Sequence, residues 1–285
     1  MSRIAYVNGA YVPLARAGVS VHDRGFQFAD SIYEVWAVRD GRLFDREAHM
    51  ARLWRSLEAL RITPPMSEAA LWAVIGETAR RNRVRYGIVY LQISRGAAPR
   101  DHVFPSPAVK PTIIVTAKNL DRAAIDKRAA SGIKVISVTE QRWARCDIKS
   151  VNLLPNVLAR QRAKEAGAFE AWFVDSDGFV TEGTSSNAFI VDAGGRLRTA
   201  KLSNHILHGV TRAALIDIAR ERQMPVVEEP FTLEEAKSAR EAFISAASNP
   251  AVAVVSLDGV QIGDGKPGPV ATALRAAYLG AGSEK

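Results

Sequence analysis

Four short stretches carry side chains able to do chemistry. The first is Arg145-Cys146-Asp147-Ile148-Lys149-Ser150-Val151-Asn152, where a lysine sits between two apolar residues just ahead of a helical pattern. Removal from water favours the neutral amine of a lysine, which is both a base and a nucleophile toward carbonyl carbon. Taken alone, a lysine in such a stretch is more often a surface residue. The second is Thr181-Glu182-Gly183-Thr184-Ser185-Ser186-Asn187. It is either a turn with a solvated acid or a carboxylate aimed at a ring nitrogen, which it would keep protonated through a charge-assisted hydrogen bond. The third, Leu207-His208-Gly209-Val210-Thr211-Arg212, leads into a helical pattern; its small residues make a plain cap or leave the helix N-terminus open to a phosphate. The fourth is Arg100-Asp101-His102-Val103-Phe104-Pro105. An arginine can grip a carboxylate with two donors and a histidine two residues on can add another, or the stretch is an exposed loop with an incidental histidine.

The elements around these stretches follow from periodicity and turn chemistry. Ile4–Val7 and Tyr11–Pro13 flank Asn8-Gly9 as a hairpin, and Ser31–Val38 is a strand closed by Asp40-Gly41. Met50, Leu53, Trp54, Leu57 and Leu60 recur at helical spacing in a helix over Arg46–Arg61, and Ser67 opens a second helix reaching Asn82. Strands over Tyr86–Ser94 and Pro111–Ala117 enclose the loop that holds Arg100 and His102. The polar stretch 119–127 lacks a strong period and is expected to be a linker. It divides a small α/β domain over 1–118 from a large domain over 128–285. The large domain should contain a strand at Ile133–Val138, a helix over Leu153–Ala166 stopped by Gly167, and hairpins about Asp175–Gly178 and Gly194-Gly195. Helices over Thr211–Arg222 and Leu233–Ser238 follow. Strands alternating with segregated helices indicate an α+β fold in two domains.

Bulk composition narrows the function classes. A chain of 285 residues suits two domains, and 47% hydrophobic with 24% charged residues is the balance of a globular protein. No apolar run approaches the ~18 residues of a membrane span. Met1–Ala10 does not read as a signal peptide, and Cys146, the single cysteine, excludes an internal disulfide; a cytoplasmic protein is expected. The net charge of +8 is scattered among acids rather than gathered in a run, which speaks against a nucleic-acid partner and suits anionic ligands. GxGxxG, P-loop and HExxH patterns are absent, so nucleotide and zinc readings have no footing.

Taken together and in order, the four stretches resemble the fold-type IV pyridoxal-phosphate enzymes, and within them the D-amino-acid aminotransferases. The likeness runs from Tyr6 to about Lys266 and includes Asp23–Asp30, Ile32-Tyr33-Glu34-Val35 and Arg142–Ser150, besides 181–187 and 209–212. It implies a small α/β domain and a larger pseudo-barrel domain, with pyridoxal 5'-phosphate as cofactor. Lys149 would carry the cofactor and move the substrate proton, and Glu182 would pair with the pyridine nitrogen. Arg52 would bind the phosphate together with Val210 and Thr211, Leu207 would press on the ring face, and Ser185 would hold the ring in place. Tyr33, Arg100 and His102 would trap the substrate carboxylate, the last two reaching in from a neighbouring subunit of a homodimer.

One segment departs from the family pattern. Where hydroxyl residues complete the phosphate site, this chain has Ala246 and Ala247 within Ser245-Ala246-Ala247-Ser248, so cofactor retention is expected to be looser. A lost hydrogen bond to a charged group is worth about 1.5–3 kcal/mol. The rival activities are an (R)-selective amine transaminase, a branched-chain aminotransferase acting on L-substrates and, from another reaction class, an aminodeoxychorismate lyase. The Arg100-x-His102 pair favours the D-amino-acid type over the other transaminases.

Overall fold

The computed structural model describes residues 3–281, which form two compact units. The first comprises the chain through Asp121 together with Ile148–Asn152. Its elements are β1 (Ile4–Val7), β2 (Ala10–Pro13), α1 (Arg24–Phe28), β3 (Ser31–Arg39), β4 (Arg42–Leu43), α2 (Arg46–Ala59), α3 (Glu68–Arg81), β5 (Gly87–Ser94) and β6 (Thr112–Asn119). The six strands form one sheet in the order β2-β1-β6-β5-β3-β4, every pair antiparallel. Asn8 and Gly9 both take positive φ (48° and 104°), the backbone twist that a two-residue hairpin turn requires.

Strict alternation along the strands explains the core. Ile32, Trp36 and Val38 of β3, Val89, Leu91 and Ile93 of β5, and Ile113 and Val115 of β6 point to one face. There they meet Met50, Leu53 and Leu57 of α2 and Leu71 and Ile75 of α3. The Ser67 hydroxyl caps α3 by accepting from the Ala70 N–H. The intervening strand residues, among them Tyr33, Tyr90 and Gln92, lie on the opposite face.

The second unit holds α4 (Arg122–Ser131), β7 (Ile133–Thr139), α5 (Leu154–Glu165), β8 (Glu170–Val174), β9 (Val180–Gly183), β10 (Asn187–Val191), β11 (Leu197–Thr199) and α6 (Val210–Glu221). It continues with β12 (Val226–Val227), α7 (Leu233–Lys237), β13 (Glu241–Ala246), β14 (Asn249–Leu257), β15 (Val260–Gln261) and α8 (Pro269–Ala281). Its sheet runs β12-β11-β10-β13-β14-β7-β8-β9, with β15 paired to β14 and parallel pairing at β11–β12, β14–β7 and β7–β8. The order forces the sheet to curl. β9 and β10 stand five places apart, roughly 24 Å in a flat sheet. Yet only Thr184–Ser186 joins them, and four peptide steps reach about 15 Å at most. Ile133, Trp172, Val180, Ile190, Ile244 and Val254, from strands across that path, share one core. The opposite faces of β10 and β13, through Phe189 and Phe243, pack with Leu215 of α6 and Leu274 of α8.

The architecture is thus α+β with a small sheet-and-helix unit and a larger, curled-sheet unit. The division differs from the expected one in two respects. The boundary between the units falls at Asp121/Arg122, inside the expected linker 119–127, but Arg122 opens α4, a polar helix whose one buried residue is Ile125, rather than a flexible connection. And Ile148–Asn152, with Lys149, belongs to the first unit, because Ser150 bridges Ile32 and Ile148 joins that unit's core.

Candidate active site

Lys149 is held by its backbone against the start of β3. Its carbonyl accepts from the Tyr33 N–H (2.9 Å), its own N–H donates to the Ser56 hydroxyl (3.3 Å), and Val151 N–H donates to the Ser31 carbonyl (3.0 Å). The half-buried side chain places Nζ 4.3 Å from the centre of the Tyr33 ring. Tyr33 stacks in turn on Tyr90 (5.7 Å), whose hydroxyl donates to Gln92 Oε1 (2.8 Å), and burial pushes the Tyr90 phenol up to about 12. A cavity of about 370 Å³ opens on this face, lined by Gln92, Ser94, Ile114, Phe26 and Val151. The fold places Lys149 beside Tyr33; Tyr90 and Gln92 were not foreseen, though their position on the face of β5 away from α2 and α3 follows from alternation.

Arg52, on α2, is buried and turned toward Glu34 of β3. Nε donates to Glu34 Oε2 (2.9 Å), Nη2 to Oε1 (2.6 Å), and His49 Nδ1 lies 3.0 Å from Oε1. Burial raises the Glu34 carboxyl's proton affinity, but the Arg52 charge and the two partners outweigh it and hold the group well below the usual carboxylate range. The phosphate-binding guanidinium expected here is thus set in a buried, charge-compensated frame.

Arg100 and His102 lie together on the loop after β5, both exposed. Each packs on the ring of Phe28, at 5.0 and 5.4 Å between centres. Neither side chain hydrogen-bonds to any described residue.

In the second unit Glu182, at the end of β9, is buried and saturated with donors. Leu207 N–H lies 3.1 Å from both carboxylate oxygens, Asn187 Nδ2 donates to Oε2 (3.0 Å), and Arg142 Nη1 donates to Oε1. Arg142 is itself gripped by Glu140, through Nη2 to Oε2 (2.6 Å) and Nε to Oε1 (3.0 Å), and donates to Thr181 Oγ1 and the His205 carbonyl. Burial lowers the Arg142 pKa, yet the Glu182 charge and Glu140 more than restore it, so the guanidinium stays charged. Cys146, three residues before Lys149 in sequence, is pushed up to about 11, mainly by burial, so it is a thiol at neutral pH. Sequence reasoning missed Arg142, Glu140 and Asn187. Arg142 and Asn187 lay inside quoted blocks, but nothing in their spacing announces that they converge on Glu182.

The turn Thr184–Ser186 is pinned by Glu170, a wholly buried carboxylate of β8. It accepts from Thr184 N–H and hydroxyl, from Ser186 Oγ (3.0 Å) and from Ser185 Oγ (3.3 Å). Ser185 itself is exposed.

The anion site foreseen at 209–212 is an open helix end. Gly209 is the N-cap residue of α6 with no side-chain cap, and the first-turn N–H groups of Val210 and Thr211 have no acceptor within the helix. A Cβ on Gly209 would stand 2.0 Å from Asn187 Oδ1, so only glycine lets this end approach β10. Ser245, register partner of Asn187 in β13, carries a buried hydroxyl without a hydrogen-bond partner. Ala246 pairs with Asn249 across the tight turn that contains Ala247. Open helix amides and an orphaned buried hydroxyl fit a phosphate, and Glu182 beside Leu207 fits a protonated ring nitrogen.

The chain belongs to the class IV aminotransferase family, whose model matches residues 31–257, and its cofactor is pyridoxal 5'-phosphate. It is 40% identical to a D-alanine aminotransferase of Staphylococcus haemolyticus, over 96% of this chain and 95% of that one. It is 38% identical to one of Bacillus licheniformis, over 95% and 96%. Among solved structures, a branched-chain amino acid aminotransferase of Escherichia coli aligns at a TM-score of 0.91 and 25% identity, covering 99% of this chain and 95% of that one.

Proposed function

We propose that this chain transfers the amino group of a D-amino acid to a 2-oxo acid, 2-oxoglutarate or pyruvate, as a D-amino-acid aminotransferase working in the cytoplasm. The near-full-length likeness to D-alanine aminotransferases carries the reading. Bound pyridoxal phosphate supplies the electron sink that lets an amino-acid Cα–H bond break. Lys149 Nζ carries the cofactor and is the base that takes the Cα proton, with Tyr33 beside it. Glu182 would face the pyridine nitrogen and keep it protonated; Arg142, Asn187 and the Leu207 N–H on its oxygens support its being a charged partner. Leu207 presses on the ring and Ser185 steadies it. Arg52, Val210, Thr211 and the Ala246-Ala247 turn take the phosphate. Arg100, His102 and Tyr33 hold the substrate carboxylate, which the exposed, uncommitted donors of the first two support.

The protein works as a homodimer in this reading, with the 95–110 loop serving the neighbouring subunit. Exposed Val19, Val21 and Phe26 in the first unit and Leu154, Val157 and Leu158 at i, i+3, i+4 on α5 support it, because apolar groups of that size rarely face water in clusters on a monomer. The test is loss of visible absorbance when the cofactor-loaded protein meets D-alanine, L-alanine or (R)-1-phenylethylamine. Conversion by D-alanine alone is expected, with Arg100→Ala raising KM roughly ten- to a hundredfold. Conversion by the L-isomer or chiefly by the amine overturns the assignment, as does turnover that consumes no 2-oxo acid.

A further inference from the structure

The carboxylate donors are exposed, and an exposed arginine on a loop samples many rotamers that ligand binding must freeze. The structure shows what limits that freedom. Arg24 and Phe28 stand one turn apart on α1, a short helix docked on the sheet. Asp23 caps it by accepting from Gly25 N–H (2.8 Å) and takes the Ser94 hydroxyl of β5 (2.9 Å); a Cβ on Gly25 would lie 2.8 Å from Ser94 Cβ. The helix is thus fixed at the point where β5 ends and the loop begins.

From that base Arg24, only 3% exposed, reaches three successive loop carbonyls. Nη1 donates to Asp101 (2.5 Å) and more weakly to Val103 (3.3 Å), and Nη2 to His102 (3.3 Å). Its Nε donates to Asp30 (2.8 Å), which offsets its charge. The stem is tied as well: Arg24 N–H donates to the Gly96 carbonyl and Ala98 N–H to that of His22. Arg95, stacked on Phe104 at 3.6 Å, binds Asp30 and the Leu60 and Arg61 carbonyls. With the loop backbone fixed, the Phe28 ring lies beneath the Arg100 guanidinium and packs against the His102 imidazole at a tilt of 53°.

We propose that Phe28, backed by Arg24, is the positioning platform that preorganises Arg100 and His102, and so sets affinity for both carboxylate substrates without touching them. The proposal rests on those two residues being the carboxylate donors. A guanidinium stacked on a ring keeps all its N–H groups in the plane for a bidentate partner, which a hydrogen-bonded anchor would consume.

The test is a double-mutant cycle on the cofactor-loaded enzyme with D-alanine and 2-oxoglutarate. Phe28→Leu, which keeps apolar volume and removes the ring, should raise both KM values roughly tenfold. In the same variant kcat should change less than about threefold and cofactor affinity stay unaltered. Phe28→Tyr should restore the wild-type KM. In an Arg100→Ala background Phe28→Leu should add less than about twofold, because the group it orients is gone. A Phe28→Leu enzyme with wild-type KM, or an equal KM increase in both backgrounds, overturns the platform while leaving the carboxylate assignment intact. An Arg100→Ala enzyme with unchanged KM overturns the assignment and the platform together. Melting temperatures of all variants separate positioning from unfolding, and Phe28→Met, which also removes the ring, takes the place of Phe28→Leu if that variant is unstable.

Discussion

The Glu182 cluster and the Arg100 loop meet charge in opposite ways. Glu182 is buried, and Arg142, Asn187 and Leu207 all donate to its two oxygens, with Glu140 behind Arg142. Arg100 and His102 are exposed, commit no hydrogen-bond donor to the described residues, and rest on an aromatic ring. The first arrangement suits a partner that stays, since its donors are already in place and no reorganisation is needed. The second suits a partner that arrives and leaves in each half-reaction: its donors are free, and the rigidity is stored in the backbone beneath them. Under the proposed roles, the resident ligand would meet saturated groups and the visiting one uncommitted donors.

The comparison can be broken most forcefully at the saturated end. Glu182→Gln should cut kcat roughly a hundred- to a thousandfold with little change in substrate KM, because the charge it supplies matters in the transition state. A variant that changes KM alone would show that Glu182 is not the ring-nitrogen partner. A stability effect of about 3–5 kcal/mol is expected from Glu34→Gln, which strips the charge from the buried Arg52–His49 frame. Its pH dependence has a definite sign. Glu34 titrates far below its ordinary value of 4.5 in the folded chain, so its contribution is complete above that value and is lost as pH falls toward the folded pKa. Acid melts should therefore steepen for the wild type and not for the variant; parallel curves would refute the coupling. The smallest effect belongs to the phosphate turn, where Ala246→Ser with Ala247→Thr should tighten the cofactor dissociation constant up to about tenfold. An unchanged constant would mean that the buried Ser245 hydroxyl and the backbone already meet the phosphate's needs.

Legibility followed local signal. The Asn8-Gly9 hairpin, β3, α2 and α3 could be read from the sequence because alternation or helical spacing, together with Ser67 as a cap, marked their limits. The β13–β14 hairpin could not, since both faces of those strands are buried and Glu241–Ala246 and Asn249–Leu257 read as continuous apolar runs without a period. α8 was passed over, and α1, at five residues, is too short to show a period. α4 looked like a linker because Ile125 is its only buried residue. Among site residues, Lys149, Glu182 and Arg100 stand in ordered motifs, whereas Arg142, on the bend after β7, and Asn187 of β10 meet only because both segments converge on Glu182. Arg24 and Phe28 were visible as part of the Asp23–Asp30 block, but their tie to a loop far along the chain depends on α1 docking at the end of β5.

The pairing of Ile148–Asn152 with β3 also bears on how the chain is made. A ribosome releases everything the first unit needs through Asp121, then must add roughly thirty more residues, about 2–6 seconds of synthesis, before the lysine segment arrives. Until then the stretch of β3 at Ser31–Tyr33 lacks the segment that later pairs with it through one bridge, leaving an open edge of the kind that recruits other chains. The segment proposed to bear the reactive amine is thus also the last piece of chain that the first unit acquires.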